Sequence, residues 1–254
     1  MHRFFVEPEQ VGQEEITIIG NDVNHMKNVL RMKPGEIIGI SDGSGIEYTC
    51  EILELNKEVK TKILTCLDAR RELPSRITLF QGLPKSDKME WIIQKAVELG
   101  VYEIIPVATR NTVVKLDKKK EENKRKRWQA IAESAAKQSK RLYIPRVGAL
   151  MSFPQAVKRA CDMEVRLIPY ELAENMAETR EIIAGIRPGQ SAAVFIGPEG
   201  GFGEEEIAMA MEAGMQPITL GKRILRTETA GIAVLSVLMF TLEGEPAAAE
   251  KSRE

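Results

Sequence analysis

The feature that most constrains this chain is a regular alternation of strand-like and helix-like segments from residue 76 onward. The β-prone runs lie at 76–82, 103–108, 164–169, 191–197 and 215–221. The helical runs lie at 88–100, 117–141, from 152, 178–185, 204–214 and 227–242. Strands that alternate with helices form a parallel sheet, because each crossover helix returns the chain to the same end of the sheet. We therefore predict an α/β domain over residues 73–243, with a parallel sheet covered by helices on both faces.

Residues 1–72 show a different pattern, in which short β-prone runs follow one another closely. These runs lie at 3–6, 15–20, 36–41, 46–55 and 59–67, and a single short helix is predicted at 21–31. Closely spaced strands with one helix predict a small β-barrel as a separate domain. The final residues, 244–254, are small or charged and predict a disordered tail.

The supply of reactive side chains excludes several classes of site. The chain has only two histidines, His2 and His25, and its three cysteines form no CxxC pair. Zinc sites, a disulfide framework and Ser–His–Asp catalysis are therefore disfavoured. The longest apolar stretch, 230–242, is too short to span a bilayer, and the first ten residues carry no signal-peptide core. We expect a cytoplasmic protein with neither metal nor membrane partner.

Positive charge is concentrated in the middle of the chain. The net charge is −1, but residues 85–146 contain 16 Lys and Arg against 8 Asp and Glu. The densest run is 115–128. A basic block in an otherwise acidic chain indicates a polyanionic partner, most simply nucleic acid. A solvated helix face that mixes Lys with Glu would give the same composition.

A glycine-rich segment, FIGPEGGFGEEE at 195–206, follows a predicted strand and precedes a predicted helix. Open α/β sheets bind ligands at such junctions, and glycines let backbone amides approach a ligand closely. The segment is neither GxGxxG nor a Walker A loop, so a dinucleotide or NTP site is disfavoured. Its three glutamates, 204–206, favour a cationic or neutral ligand over a phosphate. A simple glycine-rich turn is the alternative.

A second junction, LGKRILRTETAG at 220–231, combines three basic residues with an apolar pair, Ile224 and Leu225. An apolar pair in a basic loop is suited to form the wall of a pocket for a flat ligand such as adenine. Alternatively, the pair packs the loop onto the core. Thr227 or Thr229 is expected to cap the following helix.

The long predicted helix carries two adjacent stripes. One is apolar, with Trp128, Ile131, Ala135 and Leu142, and the other is polar, with Arg127, Ser134, Gln138 and Arg141. A polar stripe beside a buried one either faces a cleft or lies on the solvated surface. The final helix, 227–242, is apolar nearly all round, which predicts burial in the core or at a subunit interface.

Taken together, these segments resemble the RsmE family of 16S ribosomal RNA uridine-N3 methyltransferases, of the SPOUT class. The resemblance extends over about residues 2–242. Each glycine loop alone is a weak signal of the family, but the occurrence of these segments in this order is specific. The resemblance is carried by HRFFV (2–6), HMKNVLRMKPG (25–35), LPKSDKMEWIIQKAVELGV (83–101), ESAAKQSKRLYIP (133–145), IGPEGGFGEEE (196–206) and LGKRILRTETA (220–230).

The resemblance implies a PUA-like RNA-binding domain before a SPOUT-type sheet with a C-terminal trefoil knot. It also implies a homodimer that binds S-adenosylmethionine in the knot and acts on ribosomal RNA or the small ribosomal subunit. The implied cofactor contacts are Ile196, Gly197, Pro198, Gly200, Gly201, Leu220, Gly221, Ile224 and Leu225, with Pro169 and Tyr170 as a further wall.

Methylation of uridine N3 requires loss of the N3 proton or stabilisation of the resulting anion. We expect Arg226 to stabilise the charge that develops on the uridine oxygens. Glu228 or Glu199 is a candidate proton acceptor, although a carboxylate is a weak base unless burial raises its pKa, and Glu228 equally suits a helix N-terminus. The candidate RNA contacts are Arg3, Arg31, Lys85, Lys88, Arg127, Gln138 and Arg141.

Two other functions remain compatible with the same residues. A non-catalytic RNA-binding or ribosome-assembly factor would need only the basic block and the small β domain. A methyltransferase of the same class that acts on another RNA, such as transfer RNA, would need the same cofactor site. Only the two ligand-like junctions argue for chemistry over a non-catalytic factor, and only the family resemblance argues against another RNA as the substrate.

Overall fold

The computed structural model describes residues 1–68, 71–114, 116–170, 173 and 175–243. The chain forms two compact units, one of residues 1–72 with 136–144 and one of residues 73–135 with those from 145 onward. Residues 136–144, which the sequence analysis assigned to the second domain, therefore belong to the first unit. The predicted tail at 244–254 lies outside the described residues.

The first unit is built on a five-stranded sheet with the order β1-β3-β4-β5-β2. Strands β1 and β3 run parallel, and the other pairs are antiparallel. Among the described residues β1 and β2 do not pair with each other, so the small β-barrel predicted from the sequence is present as a half-barrel. The strands are β1 (Arg3–Phe5), β2 (Glu15–Ile18), β3 (Ile37–Ser41), β4 (Ile46–Leu55) and β5 (Val59–Asp68).

The core of this unit follows from the period-2 pattern of its strands. In β2, Ile16 and Ile18 are buried while Glu15 faces solvent. The predicted helix is present as α1 (Asn21–Asn24), which continues into a π-helical turn (His25–Val29). Val23 and Met26 are buried on its inner side, as the spacing predicted.

The second unit contains a parallel sheet with the order β12-β10-β11-β6-β7-β8, and β9 also pairs with β7. Its strands are β6 (Arg76–Gly82), β7 (Glu103–Ala108), β8 (Arg146–Val147), β9 (Met151–Ser152), β10 (Val165–Pro169), β11 (Ser191–Ile196) and β12 (Gln216–Ile218). The five strands other than β8 and β9 lie within the five β-prone runs predicted from the sequence. Strands β8 and β9 have two residues each, too few to give a period-2 signal in the sequence.

Helices cover this sheet on both faces. They are α2 (Lys88–Glu98), α3 (Lys118–Gln138), α4 (Phe153–Ala160), α5 (Met176–Ala184), α6 (Glu204–Glu212) and α7 (Thr227–Glu243), and the last three residues of α3 belong to the first unit. Helices α4 and α6 pack with Phe80 and Phe195 of one face. Helices α2 and α7 pack together, and α7 contacts β11 beside Ile196 on the opposite face.

Two helix surfaces bear on the expectations from the sequence, and the partial exposure of α7 leaves its predicted interface open. At the start of α2, Asp87 and Glu90 have the spacing of a capping pair, but the Asp87 side chain makes no capping bond and Glu90 binds Arg127 at 2.8 Å. Helix α7 is buried on one side only, since Val237 is 47% exposed and Phe240 is 82% exposed. No helix in the described part of the chain is both long and apolar enough to cross a membrane.

Candidate cofactor and RNA site

The carboxyl ends of the central strands carry most of the predicted site residues. Strands β12, β10, β11 and β6 are neighbours and parallel, so the segments that follow them leave from one edge of the sheet. Pro169 pairs with Ile218, and the amide of Tyr170 donates to the carbonyl of Ile218 at 3.1 Å. Ile196 pairs with Gln81 on the other side. The predicted cofactor residues of three separate segments therefore begin at the same edge.

The glycine-rich segment between β11 and α6 (residues 197–203) is pressed against the end of β6. A Cβ atom at Gly82 would lie 2.6 Å from both N and Cδ of Pro198. Gly201 adopts a positive φ of 65°, and its amide donates to the carbonyl of Pro198 at 2.9 Å. Only glycine fits the close approach of Gly82 to Pro198, and glycine adopts the positive φ of Gly201 at the least cost. The glycines thus serve a specific backbone path, while Gly200 stays exposed.

The segment after β7 holds this loop from the other side, a contribution that the sequence analysis missed. Asn111 Nδ2 donates to the carbonyls of Gly200 at 2.8 Å and Gly201 at 3.3 Å. Glu206 accepts from the amide of Arg110 at 2.9 Å and from that of Gly203 at 2.8 Å. The available signal was the polar run TRNT directly after the apolar strand β7, where an α/β sheet places functional residues.

The second loop, residues 219–226, leads from β12 into α7. Gly221 has a φ of 100°, and its amide donates to Thr219 Oγ1 at 3.3 Å. Ile224 is 83% exposed, so it does not pack this loop onto the core, whereas Leu225 is half-buried. Arg226 is exposed at the end of the loop. An exposed apolar side chain beside an exposed guanidinium leaves both groups accessible to a ligand at this edge.

The two candidate proton acceptors share one cation. Lys88 Nζ lies 2.9 Å from Glu199 Oε1 and 3.4 Å from Glu228 Oε2, and the amide of Lys85 also donates to Glu199, at 3.2 Å. Burial alone would raise the pKa of Glu199, but hydrogen bonds from Lys88 and from backbone amides outweigh it and hold that pKa below its ordinary value. The same hydrogen bond raises the pKa of Lys88. This arrangement makes Glu199 a poor base.

We expect Glu199→Gln to leave the pH dependence of methylation unchanged in shape between pH 6 and 9. A carboxyl whose pKa lies below its ordinary value is already ionised throughout that range, so it cannot produce a rising limb there. The measurement is kcat against pH for the variant and the unaltered protein. A rising limb that disappears in the variant would restore Glu199 as the base.

The predicted RNA contacts differ in accessibility. Arg141 is 6% exposed and binds Glu72 through two guanidinium nitrogens, one at 3.0 Å, and the Arg3 side chain, 7% exposed, binds Glu47. Both arginines are thus occupied in ion pairs of the first unit. Helix α3 ends at Gln138, so Arg141 does not extend the polar stripe predicted for that helix. Arg31, Lys85, Arg127 and Gln138 are exposed. We exclude Arg3 and Arg141 from the proposed RNA contacts.

Among the described residues, no group of three or more His, Cys, Asp and Glu side chains could hold a metal ion. The side chains at the carboxyl edge are instead amides, hydroxyls, arginines, lysines and ion-paired glutamates. Chemistry at this edge can therefore use hydrogen bonds and positive charge to bind an organic ligand and to stabilise an anion.

A family model described as RNA methyltransferase domain matches residues 71–239, and one described as RNA methyltransferase PUA domain matches residues 18–64. The fold and these matches together define an RNA methyltransferase. Ribosomal RNA small subunit methyltransferase E of Bacillus subtilis is 38% identical over 96% of this chain and 98% of its own length. The protein of that name from Mesomycoplasma hyopneumoniae is 36% identical over 93% and 98%.

The comparison with solved structures agrees. The crystal structure of ribosomal RNA small subunit methyltransferase E from Neisseria gonorrhoeae bound to S-adenosyl methionine matches with a TM-score of 0.81 and 33% identity. It covers 94% of this chain and 97% of that one. The chain therefore belongs to the family of ribosomal RNA small subunit methyltransferase E.

Proposed function

We propose that this protein transfers a methyl group from S-adenosylmethionine to N3 of a specific uridine in 16S ribosomal RNA. The observation that carries the proposal is the meeting, at one edge of the parallel sheet, of a tightly held glycine-rich loop and a loop with Ile224 and Arg226 exposed. The relative from Neisseria gonorrhoeae is described as bound to S-adenosyl methionine. A cytoplasmic setting follows from a ribosomal substrate.

The residues at this edge fit the chemistry of the proposed cofactor. S-adenosylmethionine supplies an electrophilic methyl group on a positively charged sulfur, together with a flat adenine. The exposed backbone at Gly200 and the apolar side chains of Ile224 and Leu225 suit the adenine and its ribose. Pro169, Tyr170 and Leu220 would complete the walls from neighbouring strands.

Arg226 is assigned the stabilisation of the uridine anion. Methyl transfer to N3 is an in-line displacement that forms an N–C bond, breaks a C–S bond and requires the N3 proton to have left. A guanidinium beside a uridine oxygen lowers the pKa of N3–H, so that solvent can accept the proton near neutral pH. Glu199 stays ion-paired, and Glu228, in the first turn of α7, serves as a helix N-terminal charge that positions Lys88.

The remaining predicted contacts would hold the RNA. Arg31, Lys85, Arg127 and Gln138 are exposed, and the first turns of α3 add a dense run of lysines and arginines. Such side chains bind phosphates and set the register of the strand without reading its sequence. We further propose that the first unit acts as a PUA-type RNA-binding domain and that the second carries the trefoil knot implied by the family resemblance.

The exposed side of α7 supports a homodimer. Val237 and Phe240 are large, apolar and exposed on a helix that is otherwise apolar. We expect Phe240→Asp to convert a dimer into a monomer, because it places a charge at the centre of an apolar interface. Light scattering measures the mass, with Lys158→Asp on helix α4 as a control charge change. A variant that keeps the dimer mass would place the interface elsewhere.

The direct test of the proposed function is transfer of labelled methyl from S-adenosylmethionine to small ribosomal subunits that lack the mark. Nucleoside mass spectrometry should then find N3-methyluridine in 16S RNA and nothing in transfer RNA. Methylation of transfer RNA instead would redirect the substrate assignment. Binding of RNA without any methyl transfer would favour a non-catalytic assembly factor.

A further inference from the structure

A chain of buried hydrogen bonds connects β6, the glycine-rich loop and the start of α7. Gln81 is fully buried, and its Nε2 donates to Thr227 Oγ1 at 2.9 Å and to the carbonyl of Gly82, also at 2.9 Å. Thr227 Oγ1 in turn donates to the carbonyl of Gly197 at 2.6 Å. Thr227 is the first residue of α7, yet its hydroxyl is directed at another segment and not at the amides of its own helix.

The order of donors in this chain is fixed. A carboxamide nitrogen only donates, so Thr227 Oγ1 must accept from Gln81, and its single proton is then available for Gly197. A hydroxyl without that donor would be free to rotate toward other acceptors. Gln81 therefore determines where the proton of Thr227 points.

Thr227 connects the two parts of the proposed pocket, one through its hydroxyl and the other through the chain itself. Gly197 opens the glycine-rich loop, and Thr227 directly follows Leu225 and Arg226. Gly197 is also confined from the opposite direction, because a Cβ at Gly82 would lie 2.9 Å from its carbonyl carbon. A shift of Thr227 would therefore move the second loop, which ends at Arg226, relative to the glycine-rich loop.

The carboxamide oxygen of Gln81 lowers the stability of the fold. Gln81 Oε1 is buried and has no hydrogen-bond partner among the described residues, and it lies beside Gly231 of α7. An unpaired buried acceptor destabilises a fold, and an apolar side chain of similar length would avoid that cost. A buried glutamine next to the last residue of β6 is thus better explained by what its nitrogen positions than by stability.

From these contacts we infer that Thr227, aimed by Gln81, is a positioning residue that sets the affinity of the pocket for S-adenosylmethionine. It acts through Gly197 and touches neither cofactor nor substrate. This inference rests on the proposed function for the identity of the ligand. It adds a role for two buried residues that lie beneath the pocket.

The test compares Thr227→Val, which keeps the shape and removes the hydroxyl, with Thr227→Ser, which keeps the hydroxyl. Calorimetry should show S-adenosylmethionine binding weakened about tenfold or more by Thr227→Val and within about threefold of normal for Thr227→Ser. Without cofactor, hydrogen exchange at the amides of Gly201 and Gly203 should be faster in Thr227→Val only. Equal affinity and equal exchange in both variants would overturn the inference.

Gln81→Met separates positioning from general stability, and it serves if Thr227→Val does not fold. Its melting temperature should stay within a few degrees of normal, since it removes the unpaired oxygen, while its affinity for S-adenosylmethionine falls about as far as that of Thr227→Val. The two substitutions together should weaken binding no more than either alone. Additive losses overturn the inference, and so does a Gln81→Met protein that binds normally.

If the unaltered protein does not bind the cofactor, the proposed function fails, and hydrogen exchange alone then decides whether Thr227 holds the loop.

Discussion

Gly82→Ala should abolish tight S-adenosylmethionine binding and lower the stability of the second unit by about 3 kcal/mol. The new Cβ would lie 2.6 Å from the backbone nitrogen of Pro198, a distance that real Cβ atoms essentially never show. Backbone cannot rotate out of the way as a flexible side chain can, so either β6 or the glycine-rich loop must move. The loop is also held by Asn111, Glu206 and Thr227, so the displacement would be resisted on several sides.

The matched control is Gly231→Ala, a glycine in α7 that lies close to the same two strands. Its Cβ would meet Gln81 Oε1 at 3.7 Å and Ile196 Cγ1 at 3.8 Å, which are ordinary contacts. Alanine also favours the helix by about 0.5–1 kcal/mol. Thermal unfolding should therefore show Gly82→Ala melting roughly 6 °C lower and Gly231→Ala unchanged or higher. Similar melting temperatures and cofactor affinities for the two variants would show that the loop can yield at little cost.

The architecture of the second unit could be predicted because its signals are local. Apolar runs such as 76–82 and 103–108 match β6 and β7 residue for residue, and their alternation with helices sufficed for the parallel sheet. The small β-barrel predicted for the first unit was right only in part, because the described strands form a half-barrel. Closure depends on whether β1 meets β2 across the sheet, and no periodicity within either strand contains that information.

The site was predictable as segments but not as contacts. The loops at 197–203 and 220–226 were identified from glycine and charge patterns, and the sheet places them at a common edge. The ion pairs of Arg3 and Arg141 were not foreseen, because their partners Glu47 and Glu72 are distant along the chain. For the same reason, nothing local indicated that Glu199 and Glu228 share Lys88.

Arg226→Ala should reduce kcat by about 10²-fold or more while leaving S-adenosylmethionine affinity within about threefold of normal. An electrostatic group that acts on charge developing in the transition state affects turnover far more than ground-state binding, and loss of one such donor typically costs this factor. The matched control is Lys222→Ala, which removes an equally exposed positive charge four residues earlier in the same loop. The control should change affinity for RNA modestly and leave kcat nearly intact.

The pH profile gives this assignment a second, independent check. Without the guanidinium, the pKa of uridine N3–H is no longer lowered in the complex, so a smaller fraction of the substrate is anionic at neutral pH. Raising the pH restores that anion, and the deficit of Arg226→Ala should therefore shrink between pH 7 and 9. A deficit that stays constant with pH, together with equal losses in kcat and in cofactor affinity, would place Arg226 in the wall of the cofactor pocket. The charge on the uridine would then have to be stabilised by another cation, and Lys88, held by two carboxylates, is already neutralised in this structure.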